Sequence, residues 1–325
     1  MLKEDGFIEH INAENFDDIA LEVFKKQYRE NDIYRAYVDA LSIDMGAVDS
    51  ILKIPFLPIS FFKTHQVICG DTLPGLYFES SGTTSEVNSK HYIKDAAVYE
   101  QSLLKGFEQF YGSPGDYVIL ALLPSYLERR NASLVHMAEQ LMKKSGHAAN
   151  GFYLNEWDKL SQTILELEAA GQKTILLGVT FALLDFAEQF PMKLRNIIVM
   201  ETGGMKGRKT EMTREEVHGF LKQQWQLENI QSEYGMTELL SQAYAKAAGV
   251  FYPTCSMKLF IRDVNDPLEV NPGGVGGINV IDLANIHSCS FIATEDIGKL
   301  EKDGSFKVLG RMDHSALRGC SLMTA

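Results

Sequence analysis

Apolar residues recur at helical spacing through the first seventy positions, as in Ile19-Ala20-Leu21-Glu22-Val23-Phe24-Lys25-Lys26-Gln27-Tyr28. The helical reading stops at Ile54-Pro55-Phe56-Leu57-Pro58-Ile59-Ser60, where two prolines forbid a continuous helix. From there the pattern changes. Short apolar runs at 76–78, 116–122, 173–177 and 195–200 alternate with helix-period stretches at 132–144 and 159–170. That alternation predicts an α/β domain with a mostly parallel sheet. Beyond about residue 250 the text turns strand-like and turn-rich, at 257–262, 277–283, 291–294 and 306–309. An antiparallel or mixed subdomain is expected there. The expected organisation is a helical segment over 1–75 packing on the core, an α/β core over 76–250, and a strand-rich subdomain with a tail over 251–325. No repeats or low-complexity segments interrupt it, and Asn271-Pro272-Gly273-Gly274 reads as a turn.

Composition narrows the class. The 325 residues are 45% hydrophobic and 23% charged, an ordinary globular balance able to bury a sizeable core. Net charge is −12, from 31 basic and 43 acidic residues, which disfavours binding to nucleic-acid phosphates. The N-terminus lacks the apolar stretch of a signal peptide, and no window approaches a membrane span. Cys69, Cys255, Cys289 and Cys320 are widely spaced, neither a disulfide scaffold nor a zinc site, so reduced thiols and a cytoplasmic location are expected.

Several segments carry chemistry. Ser80-Ser81-Gly82-Thr83-Thr84-Ser85 follows a strand, and its hydroxyls and glycine suit an anion, although the same letters serve as ordinary caps in a strand-to-helix turn. Glu233-Tyr234-Gly235-Met236-Thr237-Glu238 joins an aromatic ring that can stack on a base to a hydroxyl and a carboxylate that can reach phosphate and Mg²⁺. Its alternative is the acidic first turn of a helix. Thr294-Glu295-Asp296 offers a carboxylate for ribose hydroxyls, and Gly310-Arg311-Met312-Asp313 an arginine to assist, while both also read as hairpin turns. In Thr202-Gly203-Gly204-Met205-Lys206-Gly207-Arg208, backbone that ends a strand lies beside two cations. Cys320 stands six residues from the terminus, where a thiol is less often buried than elsewhere.

In this order the segments resemble the adenylate-forming superfamily of acyl-CoA synthetases, luciferases and adenylation domains. Ser80-Ser81-Gly82-Thr83-Thr84 is similar to its phosphate loop and Tyr234-Gly235-Met236-Thr237-Glu238 to its adenine and metal motif. Thr294-Glu295-Asp296 resembles its ribose motif, with Glu295 where glycine is usual, and Gly310-Arg311-Met312-Asp313 resembles its hinge. A nearer resemblance is to the acyl-protein synthetases of bacterial bioluminescence, over nearly the whole chain. It rests on Ile54-Pro55-Phe56-Leu57-Pro58, Leu123-Pro124-Ser125-Tyr126, Gly203-Gly204-Met205-Lys206-Gly207-Arg208 and Arg318-Gly319-Cys320.

The resemblance implies the α/β fold of an adenylate-forming N-terminal domain, mostly parallel sheets flanked by helices with a smaller strand-rich subdomain. It implies an AMP-forming acid–thiol ligase using ATP and Mg²⁺. Ser80, Ser81, Gly82, Thr83 and Thr84 would bind phosphate, and Gly203, Gly204, Met205, Tyr234, Gly235 and Thr237 would surround the nucleotide. Asp296 and Arg311 would hold ribose, and Glu238 the metal. The sequence stops about a dozen residues past the hinge motif, so the mobile domain that normally brings a catalytic lysine is expected to be missing. Lys206 is the candidate replacement, and Cys320 the candidate acyl acceptor. The substrate expected is a carboxylic acid, a fatty acid foremost, with a reductase or acyltransferase as possible partner. The alternatives are a ligase that uses external coenzyme A or a carrier thiol, and a nucleotide-binding pseudoenzyme or scaffold.

Overall fold

The computed structural model describes residues 6–80, 87–123, 131–203 and 212–312. Its first layer is helical: α1 (Phe7–His10), α2 (Phe16–Glu30) and α3 (Asp32–Ala40). Helix α2 buries Phe16, Ala20, Val23, Phe24 and Gln27, one stripe at the spacing of successive turns, and leaves its charges on the other face. Asn31 starts α3 by accepting from the Tyr34 N–H at 2.9 Å. The two prolines give no helix. Leu57–Pro58 form a short strand, β1, followed by α4 (Phe61–Thr64), the hairpin strands β2 (Tyr77–Glu79) and β3 (Lys90–Tyr92), and α5 (Ala96–Tyr111).

The middle of the chain builds strands with helices between them: β4 (Val118–Leu122), α6 (Ser133–Ser145), β5 (Gly151–Phe152), α7 (Trp157–Ala169), β6 (Thr174–Val179), α8 (Thr180–Gln189), β7 (Ile197–Thr202), α9 (Arg214–Trp225) and β8 (Gln231–Tyr234). With β9 (Ala243–Ala245) and β10 (Tyr252–Pro253) they form one seven-stranded sheet, ordered β10-β9-β8-β7-β6-β4-β5. The strands from β5 to β8 run parallel, and β9 and β10 turn back antiparallel. β4 and β6 are buried along their whole length, which explains why they read as unbroken apolar runs. Helix α9 opens with a capping box: Thr213 accepts from the Glu216 N–H while Glu216 accepts from the Thr213 N–H.

The last part forms β11 (Met257–Arg262), β12 (Val270–Asn271), β13 (Gly274–Asp282), β14 (Phe291–Leu300) and β15 (Phe306–Arg311). They make a second, mixed sheet in which β14 pairs antiparallel with β13 and β15 and parallel with β1. The N-terminal segment thus contributes a strand to the sheet of the C-terminal part. Phe24 and Tyr34 from the helices pack on Phe291, with Tyr34 stacked at 5.8 Å between ring centroids. One apolar core joins the N-terminal helices to this sheet, and a second lies around the seven-stranded sheet. Tyr234, Leu239 and Leu240, at the end of β8 and just beyond, belong to the first core although β8 belongs to the other sheet.

Candidate active site

The seam between the two sheets gathers most of the described residues that the sequence singled out. Asp296 on β14 lies opposite Arg311 on β15, and the arginine Nε donates to the carboxylate at 3.3 Å. Tyr234, at the end of β8, donates its hydroxyl to the other Asp296 oxygen at 2.9 Å. Thr294, Glu295, Asp296, Gly310 and Arg311 therefore sit inside paired strands, not in hairpin turns. Burial raises the Asp296 carboxyl above its ordinary range, while Arg311 and Tyr234 pull it back. The Tyr234 ring packs against Phe251 and Phe306, so its apolar body is core and its hydroxyl is the part that addresses the site.

Past Tyr234 the chain does not enter a helix. It turns through 235–240 and comes back as β9. At Gly235 a Cβ would lie 2.4 Å from Glu233 Oε1, so a larger residue would have to displace that carboxylate. Glu233 is itself fixed by the Thr202 hydroxyl, which donates to its other oxygen. The rest of the turn hangs on Asp282 at the end of β13, which accepts from the Leu240 and Ser241 N–H groups at 2.7 and 2.9 Å and from the Ser241 hydroxyl at 2.6 Å.

This framework presents Glu238, a carboxylate only 6% exposed. Burial raises it above the usual carboxylate range; a hydrogen bond with Ser89 and the positive charge of Arg311 oppose that rise, and Glu295 adds to it. A buried carboxylate with a hydroxyl partner and a distant guanidinium gains most from a cation of its own. Among the described residues no three His, Cys, Asp or Glu side chains form a metal cluster. That donor set fits Mg²⁺, which one or two carboxylates typically hold together with substrate phosphates and water.

The phosphate-loop segment leaves β2 and returns into β3, so it joins two antiparallel strands instead of a strand and a helix. Ser80 and Ser89 close its base: the Ser80 N–H donates to the Ser89 carbonyl at 3.1 Å, and the Ser89 N–H to Ser80 Oγ at 2.9 Å. Gly203 ends β7 in the left-handed region at φ +71°, and its carbonyl accepts from the Thr180 hydroxyl at 3.0 Å. Ser81, Gly82, Thr83, Thr84, Gly204, Met205, Lys206 and Cys320 lie outside the described residues.

The sequence reading missed the supports beneath these groups. His91, fully buried on β3, meets the Thr237 carbonyl with Nδ1 at 2.9 Å and Ser288 Oγ with Nε2 at 2.9 Å. Burial lowers its pKa to about 4, against the hydrogen bond to Thr237. Asn285 donates from Nδ2 to the Glu238 carbonyl at 2.8 Å. Buried Arg262 donates to the carbonyls of Ile278 and Thr294, beneath the ribose motif. A polar residue on the inward face of a strand was the signal available for His91 and Arg262, but their partners are 146 and 16 or more positions away.

A mostly parallel sheet with a second sheet beside it gives the chain the fold of an adenylate-forming enzyme's N-terminal domain. The chain belongs to the family of acyl-protein synthetases described as "Acyl-protein synthetase, LuxE", whose model matches residues 8–325. No curated protein sequence matches it. Among solved structures, it is similar to ATP-bound MatB from Rhodopseudomonas palustris, at 17% identity and TM-score 0.54, over 72% of this chain and 47% of that one. It is also similar to the luciferase-like enzyme of the mealworm Zophobas morio, at 17% identity and TM-score 0.51, over 75% and 59%. For the O-succinylbenzoate coenzyme A synthetase of Bacillus subtilis, in complex with AMP, the values are 16%, 0.50, 72% and 49%. The chain spans about half the length of the first and last of these. Identities this low carry the fold alone.

Proposed function

We propose that the protein activates a carboxylic acid, a fatty acid foremost, as its acyl-adenylate and then transfers the acyl group to its own Cys320. The observation that carries this reading is the seam itself: Tyr234, Asp296 and Arg311 joined by direct hydrogen bonds, with buried Glu238 on the turn that follows Tyr234. Family membership over residues 8–325 extends the reading to the cysteine.

In the first half-reaction a substrate carboxylate oxygen bonds to the α-phosphorus of ATP, and the bond to pyrophosphate breaks. Asp296, oriented by Tyr234 and Arg311, accepts from the ribose hydroxyls. Glu238 would hold Mg²⁺, which offsets phosphate charge as it builds. Ser80, the hydroxyl loop that follows it and Lys206 add donors to the same oxygens. In the second, the Cys320 thiolate attacks the acyl carbonyl, a thioester forms, and AMP leaves with the bonding pair and the negative charge. The thioester then serves a reductase or acyltransferase. A thiol with this task needs a reducing compartment such as the cytoplasm. Among the described residues no helix is long and apolar enough to cross a membrane.

The test is purified protein incubated with ATP, Mg²⁺ and a panel of radiolabelled acids, with label counted on denatured protein. Label that neutral hydroxylamine removes, and that Cys320→Ser lacks, is the expected result. Pyrophosphate release without retained label would assign the acyl group to an external thiol. Equal labelling of Cys320→Ser would end the acceptor role.

A further inference from the structure

We infer that His91 is a positioning residue that ties β3 to the Thr237–Glu238 pair and fixes the direction in which Glu238 points. The inference deepens the proposed function and rests on its assignment of Glu238 to the metal and phosphates.

His91 Nδ1 on β3 stands 2.9 Å from the Thr237 carbonyl on the facing turn. From the opposite side Asn285 Nδ2 donates to the Glu238 carbonyl at 2.8 Å. Both carbonyls of the pair are thus held by side chains that are themselves buried, with His91 0% and Asn285 1% exposed. A carbonyl can only accept, so Nδ1 carries a proton whatever the charge of the ring. The ring has no freedom to turn. Ser288 Oγ engages Nε2 at 2.9 Å, and Asn31 Nδ2 holds the Ser288 carbonyl at 2.8 Å. The edge of Phe62 meets the ring at 83° with centroids 5.4 Å apart. Supports of this kind orient a metal-binding group, and their loss typically costs about 10–100-fold in metal affinity or activity.

The donor's position makes a specific test. In His91→Asn the amide N–H falls near the place of Nδ1; in His91→Gln it falls near Nε2; His91→Leu has none. With folding checked by circular dichroism, ATP–pyrophosphate exchange and MgATP binding by calorimetry are measured for each. We expect His91→Asn to stay within about threefold of the parent, and the Gln and Leu variants to lose about 10–100-fold. The Mg²⁺ concentration for half-maximal exchange should rise in those two, with KM for the acid unchanged. Equal behaviour of all three variants overturns the inference. So does an imidazole ¹⁵N spectrum of the nucleotide-free protein with no proton on Nδ1. Should the Leu variant fail to fold, His91→Gln against His91→Asn gives the same reading: equal Mg²⁺ requirements count against the tie. Failure of the proposed function would appear differently, as a parent protein that gives no exchange with any acid while the spectrum still shows Nδ1–H.

Discussion

Two buried glutamates on neighbouring strands show how partners decide whether burial prevails over the charge of a carboxyl. Glu201 on β7 accepts from the Thr180 hydroxyl at 2.6 Å and the Ser232 hydroxyl at 3.1 Å, with His218 Nε2 at 3.7 Å and Arg214 Nε at 3.9 Å. Burial acts to raise its pKa, but His218, Arg214 and Thr180 together bring it below the ordinary value. Glu233 on β8 takes the Thr202 hydroxyl; burial, reinforced by the charge of Glu201, raises it to about 7. The folded protein therefore keeps a proton that the unfolded chain releases. Stability from that proton is full below about 4.5 and is lost as pH rises through about 7. In Glu233→Gln this loss should vanish, so urea midpoints of variant and parent should diverge in the variant's favour between pH 5 and pH 8. Parallel pH dependences would show that Glu233 is not the group responsible. Gly235→Ala probes the same carboxyl sterically. Its Cβ would meet Glu233 Oε1 at 2.4 Å, and overpacking of this kind costs about 1–3 kcal/mol, readable as a lower urea midpoint.

At the scale of elements, the N-terminal helices support the site from behind. Gln27 on α2 donates to the Asn285 carbonyl at 2.8 Å and accepts from the Ser290 N–H at 2.9 Å. Asn285 in turn holds Glu238, and Asn31 holds the loop that steadies His91. Gln27→Ala would leave the buried Ser290 N–H without its partner, at about 1–3 kcal/mol for the unsatisfied group, and would take one of two donors from the Asn285 carbonyl, which keeps the Ser288 N–H. A lower urea midpoint and a higher Mg²⁺ requirement for exchange should appear together. A fall in stability alone would confine Gln27 to the core. The sequence made α2 legible through its apolar stripe, but a glutamine inside that stripe reads as a tolerated polar residue. Its meaning depends on residues 258 and 263 positions away.

For the whole molecule, the seam joins two cores, so a ligand seated there stabilises both. MgATP at about 100 times its Kd should raise the unfolding free energy by about 2.7 kcal/mol, seen as a higher Tm in calorimetry. Asp296→Ala should shrink that shift, since the residue links β8 to β14 and β15 through Tyr234 and Arg311. An unchanged shift would remove Asp296 from nucleotide binding.

The linear pattern by itself determined β4, β6, β7, α6 and α7 of the α/β region, the strand-rich end and the order of the motif segments, because period and turn chemistry are local properties of the chain; α5, α8, α9 and β8 went unread. β11 begins and ends where the apolar run does, at Met257 and Arg262. Only the tertiary structure decided that the phosphate-loop segment joins two strands and that Glu238 opens no helix. It also decided that β1 completes the sheet of the C-terminal part, and that His91, Asn285, Asp282 and Gln27 hold the turn that carries Glu238. Each of these is a pairing across long stretches of sequence. A hydrogen bond or a burial cost acts only once the partners are brought together, and no local spacing encodes which partners those are.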